Sequence, residues 1–94
     1  MTNAKVLEAW LDCRPAHSNN LSTDGTHLYS YSLEIGRYRW SDETPVLLNY
    51  RKENSVSRTT SKHITQAIAA CVQRNFNPLI INPTMRENYD GRNS

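Results

Sequence analysis

The chain has 94 residues, room for one domain with one core and too few for a second lobe. With 37% hydrophobic residues and eleven basic against nine acidic side chains, it is neither a disordered polyelectrolyte nor a uniformly basic chain. No apolar run approaches the roughly 20 residues of a membrane-spanning helix, and Glu8 and Asp12 interrupt the place where a secretory signal would be apolar, so an intracellular, cytoplasmic protein is expected.

Residues 3–12 read as a helix. Val6, Leu7, Trp10 and Leu11 fall on one face, Thr2 or Asn3 can cap it, and Pro15 prevents its continuation. Residues 16–26 are polar and turn-rich, with Asp24-Gly25 the strongest turn signal. In residues 26–40 the alternation of Tyr29, Tyr31, Leu33 and Ile35 predicts a strand with one buried face. After Gly36 the apolar phase moves to Tyr38 and Trp40, which predicts a bulge or bend and puts Arg37 and Arg39 together on the opposite face. Residues 41–45 read as a loop, 46–50 as a strand, 51–54 as a turn and 55–59 as a third strand.

Residues 61–74 give the clearest periodicity. Ile64, Ala67, Ile68, Cys71 and Val72 form an amphipathic stripe, with Thr59, Thr60 or Ser61 as N-cap and Asn75 at the end. Residues 78–82 read as a short strand, and 83–94 as a mobile tail. The expected fold is therefore α+β: a small antiparallel sheet of three to four strands with two helices on one face, in α-β-β-β-α-β order, within a domain spanning 1–82.

The charge is uneven. Between Ile35 and Arg74 seven cations meet three anions, so the middle of the chain is where a polyanion would bind. Arg37, Arg39, Arg51 and Lys52 can align as a basic strip across neighbouring strands, or form an ordinary solvated face partly neutralised by Asp42, Glu43 and Glu53. Tyr38 and Trp40, beside the arginines, are the aromatics placed to stack on a base, although aromatics on a sheet more often fill the core.

The stretch Ser57-Arg58-Thr59-Thr60-Ser61-Lys62-His63 holds four hydroxyls, two cations and an imidazole. Read plainly it is a helix cap. Read more sharply, the positive helix end with Arg58, Lys62 and His63 binds an anion. His63 itself fits a partly packed side chain better than a general base.

Phosphate-loop and dinucleotide glycine motifs are absent, the three histidines are scattered, and no nucleophile with its base can be picked out, so the expectation is not an enzyme. Cys13 and Cys71, far apart in the chain, make neither a disulfide framework nor a zinc site, so no metal or cofactor is expected.

Asn20, Ser22, Asp24-Gly25, Leu28, Ser30-Tyr31, Ile35, Leu47-Leu48, Ser57 and Thr59-Thr60-Ser61-Lys62-His63 together resemble a family of small, mostly uncharacterised phage-encoded proteins. The resemblance covers about half of the chain and implies a phage origin, a compact domain and a site of action in the host cytoplasm; it carries no catalytic or binding residues. The helix–three strands–helix order and the Ser61-Lys62 start of the second helix also echo the double-stranded-RNA-binding domain in topology alone.

These readings converge on a small accessory protein that binds a host protein or protein–nucleic-acid complex without catalysis, as an inhibitor of host defence (anti-CRISPR-like) or of host nucleic-acid machinery. Direct nucleic-acid binding through the same strip is the rival, and a virion or assembly component the third.

Overall fold

The structure, a computed structural model, describes residues 1–51 and 57–82. The expected tail, residues 83–94, and Lys52 lie outside the described residues. The order is α1 (Asn3–Leu11), β1 (Pro15–His17), β2 (Leu21–Asp24), β3 (His27–Ser30), β4 (Leu33–Arg39), β5 (Thr44–Leu48), α2 (Arg58–Gln73) and β6 (Leu79–Ile81). The six strands make one sheet in sequential order, antiparallel from β1 to β5, with β6 added in parallel to β5 after the α2 crossover. The α+β class therefore stands, but the sheet is mixed and larger than the expected three to four strands. Among the described residues no helix is long and apolar enough to cross a membrane.

Two differences account for the extra strands. The polar stretch after α1 pairs as β1 and β2, because Ala16, Leu21 and Thr23 alternate inward while Ser22 and Asp24 face out. The long strand expected over 26–40 is a hairpin. The chain reverses at Tyr31-Ser32, where Tyr31 adopts a φ of 57°, and β3 pairs back on β4. The inward residues of β3 are thus Leu28 and Ser30, with Tyr29 on the other face and Tyr31 exposed. The bulge expected near Gly36 is present: Leu28 pairs with Gly36 and Tyr29 with Glu34, leaving Ile35 as the extra residue. Ile35 and Gly36 are both buried, and the inward phase then continues to Tyr38.

The β2–β3 turn is fixed by its own residues. Asp24 Oδ1 accepts the backbone N–H groups of His27 (2.7 Å) and Thr26 (2.9 Å), and Oδ2 lies 3.1 Å from His27 Nδ1. These bonds, the His27 amide first, bring the Asp24 carboxyl from 3.8 down to about 2. Gly25 has a φ of +99°, and a Cβ there would sit 3.1 Å from the Cys13 carbonyl oxygen, so the turn needs glycine on both counts.

Cross-strand register puts Leu21, Leu28, Gly36 and Leu47 on one sheet face. Val6, Leu7, Trp10 and Leu11 of α1 and Ile64, Ala67 and Cys71 of α2 complete the core on that face. Thr2 caps α1, its side chain accepting the Lys5 N–H at 3.3 Å. In α2 the buried stripe is Thr60, His63, Ile64, Ala67 and Cys71; Ile68 only flanks the core, and Val72 is 61% exposed. The stripe is rotated from the expected one because a serine–histidine contact, described below, turns the helix toward β3. The Arg74–Asp12 ion pair (2.7 Å) joins the C-terminal ends of the two helices, and with Arg14 (3.3 Å) it holds the Asp12 carboxyl low.

Both cysteines are free. Desolvation pushes the buried Cys71 thiol up to about 11, so it behaves as a small core residue rather than a nucleophile.

Trp10 crosses the sheet at Gly36. A Cβ on Gly36 would lie 3.2 Å from Trp10 Cζ2 and from Leu47 Cδ2. Gly36→Ala is therefore expected to destabilise the domain by about 1–3 kcal/mol through overpacking, read as a lower denaturation midpoint with an unchanged slope.

Candidate functional site

The stretch 57–63 starts α2, and its cap is Ser57, earlier than Thr59, Thr60 or Ser61. Ser57 Oγ accepts the Thr60 N–H at 3.1 Å. The third strand expected over 55–59 is consequently overturned where it can be seen: Ser57 is the cap, and Arg58 and Thr59 are in the first turn of the helix.

The cap continues into a buried polar chain. Ser57 Oγ donates to Thr60 Oγ1 (3.2 Å), Thr60 Oγ1 lies 2.9 Å from Ser30 Oγ, and Ser30 Oγ lies 2.7 Å from His63 Nδ1. Each hydroxyl has one proton to give, so the chain closes when Ser57 donates to Thr60, Thr60 to Ser30, and Ser30 to the imidazole. That direction needs a neutral His63 with its proton on Nε2. Burial lowers the His63 pKa from 6.5, and the nearby Lys62 charge lowers it further, both favouring that form. The Tyr31 ring covers the imidazole at a centroid distance of 6.5 Å. Residues thirty positions apart in the chain thus meet in one network.

A Ser–His contact invites a nucleophile reading, which the surroundings do not favour. Ser30 is 0% exposed and His63 2%. No carboxylate among the described residues bonds the imidazole; Nδ1, where an orienting acid would sit in a triad, faces Ser30 itself. The arrangement ties α2 to β3. His63 is accordingly not a surface residue for a partner.

The remaining candidate residues separate into two groups. Arg37 and Arg39 project from the open sheet face, and each is paired: Arg37 Nε to Glu34 (3.1 Å), and Arg39 to Asp42 through two bonds of 3.0 and 2.7 Å. The Arg39 guanidinium holds the Asp42 carboxyl below its usual range. Tyr38 is buried on the other face, meeting Trp40 (5.2 Å) and Phe76 (6.3 Å) edge-on. Trp40 alone of this pair is available, at 58% exposure.

Arg51, Arg58 and Lys62 lie elsewhere, on the outer flank of α2. Arg58, Lys62 and Thr65 follow one another at helical spacing, all exposed, and Arg51 reaches Thr65 Oγ1 at 3.5 Å while its Nε bonds Asn49 (2.8 Å). Among the described residues none of these three cations has a carboxylate partner, in contrast to Arg14, Arg37, Arg39 and Arg74. The basic strip expected across the sheet is therefore divided where it is described: Arg37 and Arg39 are neutralised on the sheet, and Arg51 instead joins Arg58 and Lys62 of the helix entry in a cationic row. No group of three or more metal-ligating side chains occurs among the described residues.

Ser30, Thr60 and Ser57 as a hydroxyl chain escaped sequence reasoning. Ser30 is in phase with Leu28 on the inward face, but an inward serine is recognisable only when its partner on another element is known.

No protein-family model matches the chain, and no significantly similar curated protein or solved structure is found.

The folded-state pKa of His63 is lowered, so the unfolded chain binds more protons once the pH drops below about 6.5, and stability is lost on acidification through that window. His63→Gln is expected to flatten this limb in pH-dependent denaturation. Ser30→Ala, which leaves buried partners unpaired, is expected to cost about 1–3 kcal/mol.

Proposed function

We propose that the protein acts by binding a host macromolecule rather than by catalysis, as a small phage accessory protein that inhibits host defence or host nucleic-acid machinery. The observation that carries the binding surface is the cationic row Arg51–Arg58–Lys62 with no carboxylate partner among the described residues. Arg58 and Lys62 on α2, with Arg51 reaching the same flank and none of the three bonded to a carboxylate among the described residues, keep their field directed at solvent, and at physiological ionic strength that field reaches about 8 Å, enough to steer an acidic surface onto the helix. The neutralised Arg37 and Arg39 contribute little to such steering.

The phage origin rests on the residue pattern from Asn20 to His63. Within that pattern Ser30, Tyr31, Ser57, Thr60 and His63 are the residues of the buried network and its cover, so part of the resemblance falls on what holds α2 in place. The reading that follows is a scaffold that fixes α2 and presents its outer face. Inhibition by mimicry of a nucleic acid is disfavoured by the small number of acids; an acidic partner surface fits better.

The test is capture from a lysate of a bacterial host, with and without nuclease, at about 50 and 200 mM salt. A discrete protein that survives nuclease and the higher salt, and is lost with Arg58→Glu plus Lys62→Glu, is the expected result. Recovery of nucleic acid alone, with log affinity against log salt falling at a slope of roughly −3 for three phosphate contacts, makes the protein a nucleic-acid-binding module instead. Capture unchanged by the double reversal removes the row from the site.

A further inference from the structure

The sheet has two edges, and they are guarded differently. β1 opens with Pro15, which has no N–H, and Ser18 Oγ ties the end of the strand to α1 by donating to Asn3 Oδ1 at 2.6 Å. β6 consists of Leu79, Ile80 and Ile81 alone, and no charged residue occurs from Asn75 to Asn82. An uncharged, apolar edge is a template for a further strand, and natural sheets blunt such edges with charge, proline or a cover.

The hydrogen-bonding groups at the β6 edge follow from its pairing. Asn49 N–H donates to the Ile81 carbonyl at 2.8 Å, so Ile81 turns its backbone groups toward β5, and Leu79, two residues earlier in the same ladder, does likewise. Ile80, between them, points its N–H and C=O away from β5, and neither group is bonded among the described residues.

Apolar side chains collect at the same edge. On α2, Ile64, Ala67 and Cys71 face the sheet, while Gln66, Ala69 and Ala70 turn toward α1. Helical spacing leaves Ile68 and Val72 on the flank turned away from α1. Because α1 packs against β1 and β2, and α2 against β5, that flank lies on the β6 side. Val72 is 61% exposed there, Ile80 41% and, on the opposite sheet face, Leu79 42%.

The edge is complementary to itself. Ile80 is the middle residue of β6, so an antiparallel copy related by a twofold axis at Ile80 exchanges two bonds, Ile80 N–H to Ile80 C=O in each direction. The same register sets Leu79 of each copy beside Ile81 of the other, an apolar cross-strand pair. Pro78 has no N–H to add, so the ladder is short and side-chain burial must supply much of the affinity. Like charges stay apart: α2 leads from the C-terminal end of β5 back to the N-terminal end of β6, so the Arg58–Lys62 ends of the two helices fall at opposite ends of the pair. Closed twofold pairs of this kind are the commonest soluble oligomers.

We propose that β6 pairs with β6 of a second copy of this chain, antiparallel and centred on Ile80, to give a twofold dimer whose sheet is continuous across both copies. Dimer formation is independent of the host partner proposed above.

The test measures the mass of the full chain by light scattering and sedimentation over a range of concentrations. The mass of two chains, falling to one on dilution, is expected, together with an Ile80 amide whose hydrogen exchange slows as the dimer forms. Ile80→Pro removes the outward N–H and leaves the bonds of Leu79 and Ile81 to β5 in place, as proline at an edge allows. It is expected to raise the dissociation constant about tenfold or more, the loss of two hydrogen bonds. Val72→Glu, at an exposed position outside the strand, is expected to weaken the dimer with an unchanged melting temperature for the monomer, and decides the matter should Ile80→Pro fail to fold.

A single-chain mass at every concentration overturns the proposal, whether the Ile80 amide exchanges freely or is protected by another segment of its own chain. So does an open series of larger oligomers, or a dimer that a folded Ile80→Pro and Val72→Glu both leave unchanged.

Discussion

The fold depends on one indole. Trp10 is 0% exposed, and its Nε1–H donates to the Thr26 carbonyl oxygen at 2.9 Å, an oxygen that also accepts the Tyr38 N–H at 2.7 Å. A fully buried Trp is a large apolar contribution, but its N–H is costly unless bonded. The Thr26 carbonyl, held in place by the Asp24 turn, satisfies that need, and Gly36 provides the gap in which the ring lies. A single side chain therefore fixes the distance of α1 from the sheet, the position of the β2–β3 turn and the residue at which β4 must lack a side chain. The bulge at Ile35 belongs to the same constraint. By shifting the phase of β4 it brings Gly36 under the ring while Ile35 remains buried.

The second helix is positioned by different physics. Its apolar stripe is modest, with Ile64, Ala67 and Cys71 the buried apolar members. What gives it a defined rotation is the hydroxyl chain from Ser57 through Thr60 and Ser30 to His63. Hydrogen bonds add little net stability apiece, but they are directional, and a buried set left incomplete is penalised heavily. The network therefore fixes the rotation of α2 that buries Thr60 and His63 beside Ser30. That rotation sends Val72 outward and aligns Arg58, Lys62 and Thr65 on the exposed face. It also turns Gln66, Ala69 and Ala70 toward α1, where with Leu7, Glu8 and Leu11 they line a cavity of about 250 Å³ between the helices.

Charge distribution follows from this placement. Four of the arginines, Arg14, Arg37, Arg39 and Arg74, are in ion pairs with Asp12, Glu34 or Asp42, most of them exposed pairs whose worth for stability is small. Their effect is electrostatic: they remove those cations from the long-range field. The sheet face is thus close to neutral around Arg37 and Arg39, whereas among the described residues Arg58 and Lys62 on α2 are exposed and bonded to no carboxylate. Among the described residues, then, the near balance of the chain's charges does not hold locally on α2.

The sequence by itself determined the α1 helix with its cap at Thr2 or Asn3, the Asp24-Gly25 turn, the phase shift beside Gly36 and the existence of α2, because each is a local property: a period, a cap, a turn type. Only the tertiary structure decided the rest. Whether 15–24 forms strands depends on pairing with β3, which no local pattern specifies in so polar a segment. Whether Tyr29 and Tyr31 or Leu28 and Ser30 face inward depends on where the hairpin turns, and the left-handed Tyr31 is a residue that local rules would not place there. The rotation of α2 depends on a serine thirty residues away. The division of the basic residues into a neutralised sheet half and a cationic helix half depends on which acid each one reaches. Periodicity reports how often a side chain returns to a face; it does not report what the face meets, and the candidate site is made of what it meets.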